Sequence, residues 1–283
     1  MSHSKPQNGS THRAGDESSE PIARSRLHAT GFSVRRGDRP LISGLNLDLP
    51  GGHCLGVIGP NGAGKSSLLL ALRGQLFSEG GLSLGERDPR RCRADEVART
   101  VAVVPQRNEF AFSMRVDEMI LLGRAPYRKP WQGWGEEDRR VAWHWMERLG
   151  LQELASRSVD QLSGGERRRV FIARALVQET PFLFLDEPLA GLDPAAAEEI
   201  VELLTSLRQR QERTQVLVLH DVSRVGRLCD QVLGLGRGGI EFTGVPGGDL
   251  QPDMLENLFR IPWLEATSPG GQRSLIPRER EQR

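Results

Sequence analysis

The sequence predicts an α/β protein built on a parallel β-sheet, with a helical segment inserted into the sheet-forming chain. Short apolar runs of strand length occur at residues 55–58, 182–185 and 216–219. Helical patterns separate these runs, and parallel strands require such crossover connections. Runs that are apolar throughout are also typical of strands covered by helices on both faces. The helical insertion covers about 108–176.

The first part of the chain shows a strand, a glycine-rich loop and a helix in succession. Residues 45–49 alternate apolar and polar side chains, as a half-buried strand does. Residues 55–58 form a short buried strand that leads into the loop, and residues 65–72 are predicted to be the helix that follows. This order matters, because a phosphate-binding loop requires a strand before it and a helix after it.

The inserted segment contains an amphipathic helix with a well-defined apolar face. The side chains on that face are Val141, Ala142, Trp145, Met146 and Leu149. Their helical spacing predicts that Trp145 belongs to the core. Trp143 points away from this face, and Trp131 and Trp134 lie in a short Trp-Gln-Gly-Trp cluster. These three tryptophans can face a partner or fill the interior, and structural packing is favoured for any one of them.

The composition is that of one large globular domain with polar ends. The chain has 283 residues, 37% of them apolar, which is enough to bury a full core. Residues 1–24 are expected to form a disordered extension, residues 25–264 the domain, and residues 265–283 a solvated tail. The N-terminus lacks the apolar core of a signal peptide, so no export is expected.

Composition also disfavours several functional classes. No apolar run approaches the ~20 residues that span a bilayer, so a transport function would need a pore on another chain. The net charge of +1 gives no indication of nucleic-acid binding. The cysteines Cys54, Cys92 and Cys229 are odd in number and far apart in the sequence. This pattern argues against disulfides or a zinc site and favours reduced thiols in a cytoplasmic protein.

A phosphate-binding loop is the clearest motif, since one segment fits the pattern G-x-x-x-x-G-K-[ST]. The nucleotide-binding candidates are Gly59, Pro60, Asn61, Gly62, Ala63, Gly64, Lys65, Ser66 and Ser67. The glycines let backbone N–H groups surround a phosphate. Lys65 places a positive charge on the β- and γ-phosphates, and the Ser66 hydroxyl can coordinate magnesium. The motif predicts binding of ATP or GTP.

Acidic and histidine side chains follow two of the predicted strands. Asp186 and Glu187 end the run at 182–185, where an acid is costly unless it has a function. In phosphate-loop enzymes the first such acid holds magnesium, and the second can orient the attacking water. His220 ends the run at 216–219 in the same way, although a lone histidine in such a place is usually structural.

A second anion-binding pattern lies at the start of a helix predicted over about 166–177. Ser163 is a good N-cap, and Gly164 and Gly165 leave backbone N–H groups open. The N-terminus of such a helix attracts anions. Within one chain, however, this helix end is expected to lie far from the phosphate loop.

Three motifs in this order resemble the ATPase subunit of an ABC transporter. They are the phosphate loop (Walker A) at 59–66, Leu-Ser-Gly-Gly-Glu at 162–166 and the strand ending in two acids at 182–187. The resemblance covers about 27–264. It implies a P-loop NTPase (RecA-like) core with a parallel sheet, an N-terminal antiparallel β subdomain and an inserted α-helical subdomain. It also implies ATP hydrolysis with Mg²⁺ as the metal cofactor.

The resemblance further implies a dimer, most simply of two identical subunits. Two nucleotide-binding subunits would pair head to tail around two ATP molecules. Ser163, Gly164 and Gly165 of one copy would then reach the γ-phosphate held by the other. Asp193 would link the two sites across the interface, and it is also expected to cap the next helix, with Pro194 in the first turn.

Individual catalytic roles follow from the same resemblance. Gln106 matches the family's hinge glutamine, which senses magnesium and the attacking water, and His220 matches the switch histidine that contacts the γ-phosphate. The implied catalytic set is Lys65, Gln106, Glu187 and His220, and the implied magnesium set is Ser66, Gln106 and Asp186.

The adenine site departs from the family pattern. The family carries an aromatic residue that stacks on adenine, and the matching position here falls near Arg36, with Phe32 and Arg35 close by. A flat guanidinium can also stack on a base, so ATP binding is still expected.

Two further segments, at 121–127 and 253–259, are similar to the branch that imports iron-siderophores, haem or cobalamin. That branch implies a separate integral membrane permease and, indirectly, an extracytoplasmic solute-binding protein. It also implies a peripheral position on the cytoplasmic face of the inner (plasma) membrane. Closure of the ATP-bound dimer would move the permease between access states, and hydrolysis would reset it.

Two alternatives stay open. One is a soluble ABC-type ATPase of assembly or repair without a membrane partner, although the chain has no long coiled-coil insertion, no second ATPase domain and no basic-surface signal. The other is a nucleotide-gated binding module that does not hydrolyse. Against it, Lys65, Glu187 and His220 are all present, whereas a degenerate site is expected to lose at least one of them.

Overall fold

The structure is a computed structural model that describes residues 25–106, 113–129, 131–267 and 273–278. The predicted N-terminal extension (1–24) and the end of the predicted tail (279–283) lie outside the described residues. The strands are β1 (Leu27–Arg36), β2 (Arg39–Leu49), β3 (Cys54–Ile58), β4 (Ser78–Leu84), β5 (Val101–Val104), β6 (Phe182–Asp186), β7 (Thr214–Val218), β8 (Gln231–Gly236), β9 (Gly239–Gly244), β10 (Trp263–Thr267) and β11 (Arg273–Pro277).

Helices connect and cover these strands. The α-helices are α1 (Lys65–Leu72), α2 (Ala94–Thr100), α3 (Val116–Leu121), α4 (Glu136–Arg148), α5 (Gly164–Val177), α6 (Pro194–Gln209), α7 (Val225–Leu228) and α8 (Pro252–Phe259). Short 3-10 helices occupy Pro89–Arg91, Leu122–Tyr127, Gln152–Leu154, Val159–Gln161 and Val222–Arg224. In the described ranges, no helix combines the length and apolar character that crossing a bilayer requires.

The central sheet has the strand order β5-β6-β7-β3-β8-β9. Strands β5, β6, β7, β3 and β8 run parallel, and β9 closes the edge antiparallel to β8. Every residue of β3, β6 and β7 is buried, because helices cover both faces of the sheet. The predicted fold class is confirmed. One consequence matters for the site, since the carboxyl ends of the adjacent strands β5, β6 and β7 meet at one edge.

A second, antiparallel sheet packs beside the phosphate loop, in the order β2-β1-β4. Buried and exposed side chains alternate along much of β1 and β2, so one face of this sheet joins a core with α1. Phe32 is 0% exposed within that core. A two-residue turn, Gly37-Asp38, joins β1 to β2 and pairs Arg36 with Arg39 across the hairpin.

The helices α3, α4 and α5 pack together in the segment where the helical insertion was predicted. The predicted apolar face of α4 is buried, and Trp145 is 5% exposed, which confirms its place in the core. The other tryptophans differ from one another. Trp143 and Trp131 are exposed, whereas Trp134 packs against the core with the guanidinium of Arg128 3.8 Å from its ring centroid.

The C-terminal part of the chain is more ordered than predicted. Helix α8 covers the segment 253–259, and β10 and β11 then pair as an antiparallel hairpin. Leu275 on β11 is 6% exposed and belongs to the core around α8. The predicted boundary after residue 264 falls inside β10. A hairpin end that is buried by contacts distant in sequence leaves little local signal.

The cysteines are free thiols, and two of them meet in space. Cys54 begins β3 and Cys229 precedes β8, and their Sγ atoms lie 3.8 Å apart although the residues are 175 positions apart in sequence. Both are buried, and burial raises the pKa of the Cys54 thiol. Cys92 is half-buried and donates its S–H to the Asp88 carbonyl.

Candidate active site

A cavity of about 600 Å³ opens at the carboxyl end of β3, beside the ends of β6 and β7. Ligands of open α/β sheets bind outside this edge. The cavity is lined by Arg36, Arg39, Leu41, Asn61, Gly62, Gly64, Lys65, Ser66, Ser67, Gln106, Glu187 and His220. Phosphate-loop residues and the predicted catalytic side chains thus share one cavity.

The phosphate loop has the strand–loop–helix setting that the motif requires, between β3 and α1. Two of its glycines are required by the backbone. Gly59 has φ 148°, and a Cβ atom there would lie 2.0 Å from the Leu235 carbonyl oxygen. Gly64 has φ 98° and is the N-cap of α1. These conformations favour glycine and turn the loop so that it enters the helix with free N–H groups at the helix N-terminus.

Lys65 is held back against its own loop. Its ammonium donates to the carbonyl oxygens of Gly59 at 2.7 Å and Pro60 at 3.1 Å. Burial lowers the pKa of Lys65, while the nearby carboxylates of Glu187 and Asp186 act in the opposite direction. Among the described residues this ammonium has only neutral carbonyl acceptors, so an anionic phosphate adds an attraction between opposite charges.

Asp186 and Ser66 form the part of the site that suits a small hard cation. Asp186 is 7% exposed, and its buried Oδ1 atom has no hydrogen-bond partner in the part of the chain that the structure describes. Burial raises the pKa of this carboxyl, and a hydrogen bond with the Ser66 side chain acts against that shift. An unsatisfied carboxylate oxygen beside a hydroxyl fits Mg²⁺, which takes oxygen ligands and commonly uses only one or two carboxylates together with substrate phosphates.

Glu187 is the centre of a three-residue cluster. His220 Nε2 lies 2.6 Å from Glu187 Oε1, and Gln106 Nε2 donates to Glu187 Oε2 at 2.7 Å. Glu187 adopts φ 52°, an uncommon conformation for a residue with a side chain. The three side chains come directly after or close to the ends of β6, β7 and β5, which are neighbours in the sheet. Their meeting therefore follows from the parallel strand order.

Ser163, Gly164 and Gly165 do not line this cavity. Ser163 caps α5 in a reciprocal capping box, since Glu166 N donates to Ser163 Oγ and Ser163 N donates to Glu166 Oε2. Asp193 caps α6, because its Oδ1 accepts from the N–H groups of Ala195 and Ala196 at 3.0 Å each. The two caps adjoin, as a Cβ atom on Gly165 would lie 3.2 Å from Ala196 Cβ.

The residues near the expected base-stacking position differ in whether they reach the cavity. Arg36 lines the cavity, Phe32 is fully buried, and Arg35 Nη2 donates to the Asp38 carbonyl at 3.3 Å. Arg39 and Leu41 also line the cavity and were missed by the sequence analysis. The Gly37-Asp38 turn was the available signal, because a two-residue hairpin places Arg39 directly opposite Arg36.

Comparison with known proteins agrees with this arrangement. A family model described as "ABC transporter" matches residues 42–190. The iron(3+)-hydroxamate import ATP-binding protein FhuC of Bacillus subtilis is 35% identical over 244 residues, covering 86% of this chain and 91% of that protein. The hemin import ATP-binding protein HmuV of Pseudomonas entomophila is 38% identical over 256 residues, covering 88% of this chain and 98% of that protein.

A solved structure extends the likeness to the whole fold. One chain of a metal-chelate type ABC transporter, solved in an inward-facing conformation, superposes with a TM-score of 0.80 at 27% identity. The superposition covers 90% of this chain and 98% of that one. The likeness therefore extends over most of the chain and is not confined to the motifs.

Proposed function

Because the chain belongs to the ABC transporter family of ATP-binding proteins, we propose that it energises an importer of the iron-siderophore, haem or cobalamin type through a separate membrane permease. The chain is an ATPase, as the ATP-binding proteins of this family are. The observation that carries the proposal is the cluster of Gln106, Glu187 and His220 beside the phosphate loop. It occurs in a chain whose similar relatives include ATP-binding proteins of iron-hydroxamate and hemin import.

In the proposed site, the phosphate loop binds the nucleotide phosphates, and Ser66 and Asp186 would bind the metal. The loop N–H groups and Lys65 bind the β- and γ-phosphates, and Lys65 exchanges its two carbonyl acceptors for phosphate oxygens. Ser66 and Asp186 would hold Mg²⁺, which would neutralise charge on the phosphates. The unpartnered Oδ1 atom of Asp186 supports this assignment.

Glu187 is proposed to orient and deprotonate the attacking water. Its Oε2 atom binds Gln106 and its Oε1 atom binds His220. Each oxygen keeps a further lone pair, so a water can reach the carboxylate beside these partners or by displacing one of them. Gln106 would follow the magnesium and the water, and His220 would turn to the γ-phosphate. The site would then become competent only when nucleotide is present.

Dimerisation would complete the site. Ser163, Gly164 and Gly165 present a capped helix N-terminus that lines no part of the cavity of their own chain. A second copy arranged head to tail would place them on the γ-phosphate of the facing subunit. Asp193, which caps the adjoining helix, would lie at the same interface.

A groove on another side of the ATPase domain is the proposed contact with the permease. It measures about 590 Å³, and Arg73, Pro105 and Arg174 are among its lining residues. Pro105 adjoins Gln106, so the groove and the active site share one segment. Burial lowers the pKa of both Arg73 and Arg174, and within the described residues neither guanidinium forms an ion pair. Two half-buried guanidinium groups without an ion-pair partner among the described residues favour a permease segment that brings a carboxylate or the carbonyl end of a helix.

Purification from native membranes tests this function. The tagged chain is expressed in its native organism. The membranes are solubilised in detergent, the chain is recovered by affinity purification, and the co-eluting proteins are identified by mass spectrometry. We expect a stoichiometric polytopic membrane protein, and ATPase activity of the captured complex that rises with a candidate chelate and its binding protein. Such a complex would also place the chain at the membrane.

A matched pair of variants makes the test specific. Arg73→Glu should reduce recovery of the membrane protein, because it places an acid in the cationic groove. Arg140→Glu should not, since Arg140 is exposed on α4 and pairs with Glu137. Recovery of soluble partners alone, or of the isolated chain, would contradict the importer and favour an ATPase of assembly or repair.

A further inference from the structure

Arg168 on α5 binds two other segments of the chain with one side chain. It lies five residues after the cap Ser163 and is 7% exposed. Its Nε atom donates to the Pro188 carbonyl at 3.1 Å, and Nη1 donates to the Pro105 carbonyl at 3.0 Å. Its Nη2 atom donates to the carbonyls of Asp186 and Glu187, each at 2.8 Å.

These acceptors surround the predicted water-orienting residue. Asp186, Glu187 and Pro188 are consecutive, so the guanidinium holds the backbone on both sides of the Glu187 Cα atom. That backbone has φ 52°, which costs energy for a residue with a side chain and persists only when the surroundings enforce it. The bonds from Arg168 are contacts of that kind.

The fourth acceptor extends the effect to the glutamine. Pro105 directly precedes Gln106, whose amide binds the Glu187 carboxylate at 2.7 Å. Arg168 therefore fixes the backbone at both ends of the Gln106–Glu187 hydrogen bond. Its acceptors among the described residues are all main-chain carbonyls, so the side chain sets geometry here and does not neutralise the two acids through direct bonds.

We propose that Arg168 is a positioning residue for hydrolysis, because it fixes the positions of Glu187 and Gln106 relative to α5. Since Ser163 caps the same helix, movement of that helix end is transmitted through Arg168 to the backbone of Glu187. The inference rests on the proposed role of Glu187 in orienting water. It assigns to α5 a second task besides presenting Ser163, namely setting the position of Glu187 in its own subunit.

The chemistry requires an arginine at this position. A guanidinium has five N–H donors in a planar fork, and four hydrogen bonds in three directions use that shape. Lysine keeps the charge but offers a point donor, and methionine fills a similar volume with no donor. If geometry is what matters, neither residue replaces arginine.

The test compares Arg168→Lys and Arg168→Met in the full-length chain with Arg169→Met as the matched control. Arg169 is on the same helix, and its guanidinium pairs with Glu199 outside the cavity. The measurements are kcat and KM for ATP, the dissociation constant of a fluorescent ATP analogue, and the melting temperature. We expect both Arg168 variants to lose roughly 10- to 100-fold in kcat, since a misplaced reacting group can cost about 100-fold in rate. Their KM and dissociation constant should stay within about twofold, since no nucleotide contact is removed.

A second readout separates positioning from mere stability. In a Glu187→Gln background, Arg168→Lys should still give the ATP-dependent dimer, because nucleotide binding and the Ser163 cap are intact. Full kcat in Arg168→Lys, an equal loss in Arg169→Met, or a loss explained by KM alone would overturn the inference. If Glu187→Gln itself hydrolyses ATP normally, the proposed role of Glu187 fails first. A trapped Glu187→Gln dimer beside a fully active Arg168→Lys enzyme overturns the role of Arg168 alone.

Discussion

Glu187 Oε1 lies 2.6 Å from His220 Nε2, and this contact joins the residues that follow β6 and β7. The two side chains differ in exposure, at 11% for Glu187 and 43% for His220. The buried carboxylate is thus held by a histidine that reaches it from the open side of the cavity. Such an arrangement lets the histidine leave when a nucleotide enters, while the carboxylate stays in place.

Replacing Glu187 by glutamine should stop turnover while nucleotide binding persists. An amide keeps the size of the carboxylate but cannot accept the proton of the attacking water, and general-base catalysis contributes typically 10²–10⁴-fold. We expect phosphate release to fall by at least about 100-fold, and size-exclusion chromatography with ATP to show a stable dimer. Hydrolysis at the rate of the unmodified chain would contradict the assignment of Glu187.

Removal of His220 should reduce kcat more than it affects KM. His220→Ala takes away one of the two partners of the Glu187 carboxylate and the group proposed to contact the γ-phosphate. We expect a loss of roughly 10-fold or more in kcat by steady-state phosphate release. His28→Ala is the control, because His28 lies on β1 and its side chain contacts Thr30 and Asp48. Equal losses in the two variants would show that the effect is not specific to the site.

Asp186→Asn should make the nucleotide-free protein more stable and inactive. Burial raises the pKa of Asp186 above its ordinary value, so the folded state disfavours the ionised carboxylate. The free energy of unfolding therefore falls as pH rises through the window between the ordinary and the raised pKa. A neutral amide removes this cost, and we expect the melting temperature at neutral pH to rise by about 2 °C.

Asp88→Asn should change the melting temperature in the opposite direction and serves as the control. The Arg90 guanidinium lowers the pKa of Asp88, so its ionised form stabilises the fold, and that contribution is lost as pH falls through the lowered pKa. Neutralising Asp88 should lower the melting temperature. A fall in melting temperature for Asp186→Asn, measured by calorimetry without nucleotide, would show that the buried carboxylate has no such cost.

Local sequence predicted the parts of the site that depend on one segment. The phosphate loop, the strand before it and the helix after it follow from glycine placement and apolar runs, and the structure confirms all three. Gln106, Glu187 and His220 were identified separately from the ends of strands and from the family resemblance. Their contact required the strand order, which brings β5, β6 and β7 side by side.

Features that depend on contacts distant in sequence were not predicted. Phe32 lies close in sequence to the expected adenine-stacking position near Arg36 but is fully buried. Arg168 could not be singled out in the sequence, because it is one of three consecutive arginines. The acceptors that distinguish it lie on two other segments of the chain. The hairpin of β10 and β11 is held in place by the buried side chain of Leu275. The polar composition of the C-terminal residues gives no indication of that contact.

The base-binding end of the cavity should tolerate more than one nucleotide. Arg36 and Arg39 are cross-strand partners there, and the lining residues among those described include no Phe, Tyr or Trp. A guanidinium can stack on any base and has donors only, so neither arginine accepts a hydrogen bond from the adenine amino group. We expect fluorescent analogues of ATP and GTP to bind with dissociation constants within about fivefold, a difference of about 1 kcal/mol.

Arg36→Ala should weaken both analogues by roughly 10-fold, since base stacking contributes about 1–3 kcal/mol. Arg36→Tyr should restore the affinity, because a phenol ring also stacks on a base. The control is Arg35→Ala, whose guanidinium donates to the Asp38 carbonyl and does not line the cavity. If Arg35→Ala weakens binding as much as Arg36→Ala, the two substitutions act by disturbing the fold of the hairpin and not by removing a contact with the base. If neither changes the dissociation constants, Arg36 does not contact the base, and Arg39 or Leu41 becomes the next residue to replace.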